Sequence, residues 1–239
     1  MARARTLLHP PVLEALISLF FKEGTANGAS VARARSHYLG LGWEVKPRKL
    51  SAEVGDPRED GMSDRISDFT LRSPNGLVVI QLGDDSLVVS HTGGYKNWES
   101  LEHDVFLLLK NCGPGLDLRD IDTLGVRFIN RILPQERGYR RLLVSPPLIP
   151  DGMEPTVLSG FVHRNYFEFN DHAARGVLTV GTAVVEEERV DLVIDVDVQK
   201  TGQFSEDEFS LKQQLANVRE IKNSLFFGCL TDQALEIFQ

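Results

Sequence analysis

Two arginines and two aspartates carry the most suggestive chemistry in this chain. Arg127 and Arg131 lie four residues apart in the apolar run Leu124 to Leu133. In a strand, that spacing sets both guanidinium groups on one face, about 13 Å apart. Arg137, Arg140 and Arg141 follow closely. Together they could form a local basic patch for a phosphate, a nucleotide or an acidic partner, because guanidinium forks match such groups. They also read as structural residues, pairing across a sheet with Asp191, Asp195 and Asp197. Asp195 and Asp197 alternate with Leu192, Ile194, Val196 and Val198. In a strand they share a face, about 7 Å apart. Paired carboxylates can hold Mg²⁺, and Gln199 and Lys200 extend the string toward a nuclease-like set. A solvated strand face explains the same alternation on its own.

A second candidate lies upstream, in His91-Thr92-Gly93-Gly94-Tyr95 and the following Trp98. Two glycines before a helix can offer backbone amides to an anion. The spacing is neither that of a phosphate-binding loop nor that of a dinucleotide fingerprint, and tight-turn chemistry accounts for it as well. Tyr95 and Trp98 read either as core or as a stacking surface. Other chemistries find less footing. No two of His9, His37, His91, His103, His163 and His172 have zinc-site spacing, so no structural zinc is expected. There is no nucleophile elbow. Cys112, at the end of an apolar helix stripe, reads as core rather than nucleophile. It and Cys229 lack C-x-x-C partners and are expected to be reduced. No catalytic residue and no cofactor is indicated.

The bulk properties narrow the field. The chain of 239 residues carries 26 Lys and Arg against 34 Asp and Glu, a formal net charge of -8. That balance argues against a broadly basic nucleic-acid surface and leaves room only for a local arginine patch. The apolar stretch after the arginine-bearing N-terminus contains Glu14 and lacks a cleavage site, so it does not read as a signal peptide. No run approaches the ~18 apolar residues of a membrane span. A cytoplasmic location follows as the expectation.

The elements that must position these residues are mostly strands. Asn75-Gly76 and Gly83-Asp84 sit between apolar runs and predict a three-stranded meander over Phe69–Arg72, Leu77–Leu82 and Leu87–His91. A helix follows over Trp98–Cys112, capped by Asn97 and stopped by Gly113-Pro114-Gly115. The runs 157–169, 176–186 and 190–200 read as three further strands. Ser205 and Glu208 form a capping box, with Phe204 and Phe209 at staple positions. The helix they open buries Leu211, Leu215, Val218, Ile221 and Leu225, and a short final helix follows Thr231. Residues 25–41 predict a modest helix, and 46–65 a loop. Val12–Phe21 fits a strand or a helix equally by period.

Several stretches resemble one uncharacterised, sporadically distributed prokaryotic family. They are Pro10-Pro11-Val12-Leu13-Glu14-Ala15, then Leu124-Gly125-Val126-Arg127-Phe128-Ile129-Asn130-Arg131, and finally Leu225-Phe226-Phe227 with Leu230-Thr231-Asp232. The resemblance covers nearly the whole chain and implies a strand for Val12–Phe21. It implies no activity. Its scattered distribution hints at an accessory role such as defence or a toxin–antitoxin system.

The expected architecture is α+β: antiparallel sheets with helices packed on one side, in one continuous body. The element order suggests two similar strand-strand-strand-helix halves, 1–136 and 137–239. Two functional readings follow. One is a non-enzymatic protein that binds a protein partner or a ligand, with Arg127, Arg131, Tyr95 and Trp98 as candidate contacts. The Phe226–Phe227 pair reads equally as a homodimer interface for it or as core. The other is a metal-dependent hydrolase or nuclease using Asp195 and Asp197.

Overall fold

A computed structural model describes residues 7–22, 25, 28–47, 68–133, 139–148, 160–186, 189–205 and 207–239. The protein is α+β, with one nine-stranded antiparallel sheet and helices packed against it. In chain order the elements begin with β1 (Val12–Phe21), α1 (Gly28–Gly40) and β2 (Glu44–Pro47). The expected meander follows as β3 (Phe69–Arg72), β4 (Val78–Leu82) and β5 (Ser86–Thr92), then α2 (Trp98–Cys112). Next come β6 (Ile121–Ile132) and the short α3 (Tyr139–Leu142). A second meander is formed by β7 (Val162–Phe169), β8 (Ala174–Glu186) and β9 (Arg189–Thr201). The helices α4 (Glu208–Cys229) and α5 (Asp232–Glu236) close the chain.

The strand order is β2-β3-β4-β5-β1-β6-β9-β8-β7. It repeats one idea twice. A first strand (β1 or β6) is followed by a meander whose last strand (β5 or β9) folds back to pair with it, and then by a long helix (α2 or α4). The two sets join through β1 and β6, antiparallel at the centre. The second set therefore begins with β6, ahead of residue 137.

Burial explains why the ambiguous Val12–Phe21 segment is a strand. Ala15, Ile17, Leu19 and Phe21 are buried on one face, opposite Phe128, Val126, Leu124 and Ile121 of β6. In β9, Leu192, Ile194, Val196 and Val198 continue that row under α4. Each such fully buried side chain contributes roughly 1.5–3 kcal/mol. The helix α2 covers β5 and β1, and α4 covers β6, β9 and β8, on the same face.

Local signals behave as the residues predict at most turns. Gly76 (φ 72°) closes the first hairpin, and Asn97 Oδ1 accepts from Ser100 N at 2.8 Å to cap α2. Thr231 caps α5 in the same way. Three expectations need correction. The N-cap of α4 is Asp207, whose Oδ2 accepts from Ser210 N at 2.8 Å; Ser205 instead accepts from Asp207 N. With the start two residues later, Phe204 is buried but Phe209 is 66% exposed, so no staple forms. Lys46 and Pro47 belong to β2 rather than to a loop, and the rest of the 46–65 segment lies outside the described residues. Among the described residues, no helix is long and apolar enough to cross a membrane.

Candidate functional site

The sheet separates the sequence candidates into two places. Arg127 and Arg131 project from β6 on the face away from α2 and α4, as alternation requires, because Val126, Phe128, Asn130 and Ile132 take the other face. Arg127 forms a two-pronged pair with Asp195, Nε to Oδ1 at 2.9 Å and Nη2 to Oδ2 at 2.7 Å. Arg131 pairs with Asp191, whose side chain is 1% exposed. Asp191 had been expected on a wet face with Asp195 and Asp197; pairing with Arg131 permits its burial. The two strand arginines are thus matched to acids of the neighbouring strand β9. Arg137 lies outside the described residues, as does the side chain of Arg140. Arg141 lies on α3, which packs against α5.

Asp197 stands directly across from Arg127 in the sheet register, yet Arg127 reaches diagonally to Asp195 instead. Burial pushes the Asp197 carboxyl above its ordinary value; Asp195 adds to the rise and Arg127 opposes it. Among the described residues, no group of three or more His, Cys, Asp or Glu side chains lies together to hold a metal ion.

Tyr95 and Trp98 lie on the opposite, helix-covered face. They line a cavity of about 350 Å³ between the start of α2, the middle of α4, β6 and the Pro10-Pro11 arm. The Tyr95 ring meets Phe128 edge-on, with centroids 5.2 Å apart. Burial pushes its hydroxyl up to about 12. Trp98 donates its indole N–H to Glu102 Oε1 at 3.1 Å, and the Arg219 guanidinium lies 5.0 Å from its ring centroid. Of the glycine pair upstream, Gly93 (φ 67°) donates its N–H to Leu13 O of β1 at 2.8 Å, so that amide is engaged within the sheet.

The same cavity contains a lysine not among the sequence candidates. Lys222 of α4 is only 6% exposed. Its Nζ lies 3.7 Å from the Phe128 ring centroid and donates to Asn223 Oδ1 at 2.6 Å. Its pKa is brought down to about 7, mainly by desolvation, with Arg219 adding to the fall and Glu220 opposing it. An ammonium is hard to bury because it gives up water. Here an amide oxygen and an aromatic face replace part of that hydration, and among the described residues no carboxylate bonds to the Nζ. The signal for Lys222 was present in the sequence. Leu211, Leu215, Val218, Lys222 and Phe226 recur at helical spacing on the buried side of α4, and Lys222 breaks an otherwise apolar stripe. Asn130 gives the same kind of signal in β6: it is buried in an apolar row, lines the cavity, and donates its side-chain amide to Ile194 O at 3.2 Å.

Phe226 and Phe227 also line this cavity, meeting edge-on at 5.3 Å. Phe226 is buried and Phe227 half-buried, so the first of the pair is core, one of the two readings the sequence allows. A larger groove of about 630 Å³ runs between α2 and the start of α4, but Lys212 there is ion-paired with Glu208 at 2.7 Å in an exposed setting. Both cysteines are free, and burial raises their thiols to about 11 for Cys112 and about 12 for Cys229, far from a reactive thiolate. Among known proteins, no family model and no curated protein matches the chain.

Proposed function

We propose that this protein acts by binding a small organic acid: a ligand with one anionic head and an aromatic or apolar body, held in the cavity between α2 and α4. The observation that carries the reading is Lys222, an almost fully buried amine in an aromatic-lined cavity with an amide oxygen, and among the described residues no acid, as its hydrogen-bond partner. A carboxylate or phosphate entering beside it would supply the missing countercharge. Arg219, three residues earlier on α4, lines the same cavity and adds a second donor group. Tyr95, Trp98 and Phe227 offer flat surfaces for the ligand body. The volume lies near the lower end of small-molecule sites, which run roughly 300–1,000 Å³.

Benzoate and benzyl phosphate are suitable probes, with benzyl alcohol as the uncharged control. In a thermal-shift titration the acids raise the unfolding temperature and the alcohol does not. Lys222→Met abolishes the response. No response to either acid, or an equal response in Lys222→Met, would sink the reading.

A second reading places a divalent cation at Asp195 and Asp197 for a hydrolase activity. It is supported by Asp197, whose carboxylate accepts no side-chain hydrogen bond among the described residues. It has less support than the first, because Arg127 engages both oxygens of Asp195. It predicts that Mg²⁺ raises the unfolding temperature relative to EDTA and that Asp195→Ala and Asp197→Ala cancel the shift.

A further inference from the structure

The two edges of the sheet differ in a way that points to a partner. An open edge is a row of unpaired backbone groups, and proteins blunt such edges with short strands, lysine, proline or bulges. The edge strand β2 is four residues long and carries Lys46 and Pro47. The other edge, β7, runs for eight residues, Val162 to Phe169, with no lysine, proline or register shift. Among the described residues no strand pairs with its outer side. It displays apolar side chains there: Val162 is 69% exposed and Tyr166 74% exposed.

The hydrogen-bond parity of β7 tells which groups are unpaired. Thr182 N donates to Phe161 O at 3.0 Å, and in the register of β7 with β8 these two residues are opposite. In an antiparallel pair, residues alternate between facing the partner strand and facing away. The odd-numbered residues of β7 therefore bond to β8. Val162, Arg164, Tyr166 and Glu168 turn their N–H and C=O groups outward, and their side chains share the face of the sheet opposite α4.

We infer that β7 pairs antiparallel with β7 of a second copy of this chain, about a twofold axis at Tyr166, to make one continuous sheet across a homodimer. In this register Tyr166 faces Tyr166, and Arg164 of each copy faces Glu168 of the other, twice. All these positions are outward-facing, so each cross-copy pair exchanges backbone hydrogen bonds. Neighbouring registers lose the charge match. A twofold at Arg164 sets two guanidinium groups against each other. A twofold at Asn165 sets Arg164 against Tyr166 and Val162 against Glu168. One at Phe167 sets Tyr166 against Glu168. Within one copy and among the described residues, Glu168 pairs with the exposed Arg175, at 3.3 Å, and Arg164 donates to Thr179 Oγ1 at 3.2 Å. Both are weak surface contacts that leave the charges available.

The test combines mass, charge exchange and cross-linking on the full chain. Light scattering coupled to size exclusion should give a dimer mass. Arg164→Glu and Glu168→Arg should each weaken the dimer at least tenfold, and the double exchange should restore it. Under mild oxidation Tyr166→Cys should form a disulfide-linked dimer, because opposed residues in a bonded pair are about 5.5 Å apart, within disulfide reach. Val162→Cys should not. A monomer at all concentrations up to ~100 µM, single exchanges that leave the dimer intact, or equal cross-linking at positions 162 and 166 would each overturn the inference.

Discussion

The two faces of the sheet handle positive charge in opposite ways. On the open face, Arg127 and Arg131 each meet a carboxylate of the adjacent strand. Behind the sheet, Lys222 is more deeply buried than either and meets an amide oxygen and an aromatic ring. A cation with its acid in place holds strands in register and has little left to offer a ligand. A buried cation without one lowers stability unless something else supplies the countercharge. The open face, where sequence spacing first drew attention, holds its two strand arginines in ion pairs, and the cavity behind it is where we place the proposed binding site.

The contrast can be broken most severely at Arg131. Replacing it by alanine removes the guanidinium from an aspartate that is 1% exposed. Arg131→Ala should cost about 3–5 kcal/mol of stability, the cost of breaking one side of a buried pair. Urea unfolding measures this directly; a loss under ~1 kcal/mol would mean that the pair is not what accommodates Asp191.

Lys222→Met should move stability the other way, upward by about 1–3 kcal/mol at pH 7, because it removes a poorly compensated polar group from the interior. The pH dependence has a definite sign. The folded-state pKa of Lys222 is about 7 and its ordinary value is 10.5. Below about 7 both states carry the proton and the full cost of the buried charge is present. Between about 7 and 10.5 the unfolded state binds the proton and the folded state does not, so the unmutated protein gains stability as pH rises. The advantage of Lys222→Met should therefore shrink steadily across that window in urea melts. An advantage that is constant with pH would show that Lys222 does not titrate there.

A smaller effect belongs to Arg127, half-exposed and paired with a partly buried acid. Arg127→Ala should cost about 1–2 kcal/mol. It should also raise the Asp197 pKa further, since Arg127 is the group that holds it down. Carboxyl-carbon NMR of Asp197 reads that shift, and no change on mutation would mean that Arg127 does not act on Asp197.

The fold was largely legible where chemistry is local. Asn75-Gly76, Asn97 and Gly113 dictate turns and caps through their own conformational preferences, and the alternation in β6 and β9 fixes which face is buried. What joins the two sets of strands into one sheet was not legible, because the β1–β6 pairing spans more than a hundred residues of sequence and depends on tertiary packing. At α4, two acidic or hydroxyl residues competed for the cap, and Asp207 holds the position that Ser205 was expected to take. Asp207→Ala should cost about 1 kcal/mol in urea melts, and Ser205→Ala less. The site was legible in half. Tyr95 and Trp98 stand out by type, whereas a lysine in a helix is usually on the solvent side, which hides Lys222. Its place in the stripe of Leu215, Val218 and Phe226 was the clue.

The most direct measurement is the titration of Lys222 by carbon NMR of its ε-methylene, in the free protein and with benzyl phosphate present. A midpoint near 7 is expected without ligand and a clear upward shift with it, as the bound anion stabilises the ammonium. A midpoint in the ordinary lysine range, unmoved by the probe, would contradict the claim that this buried amine is waiting for an acid.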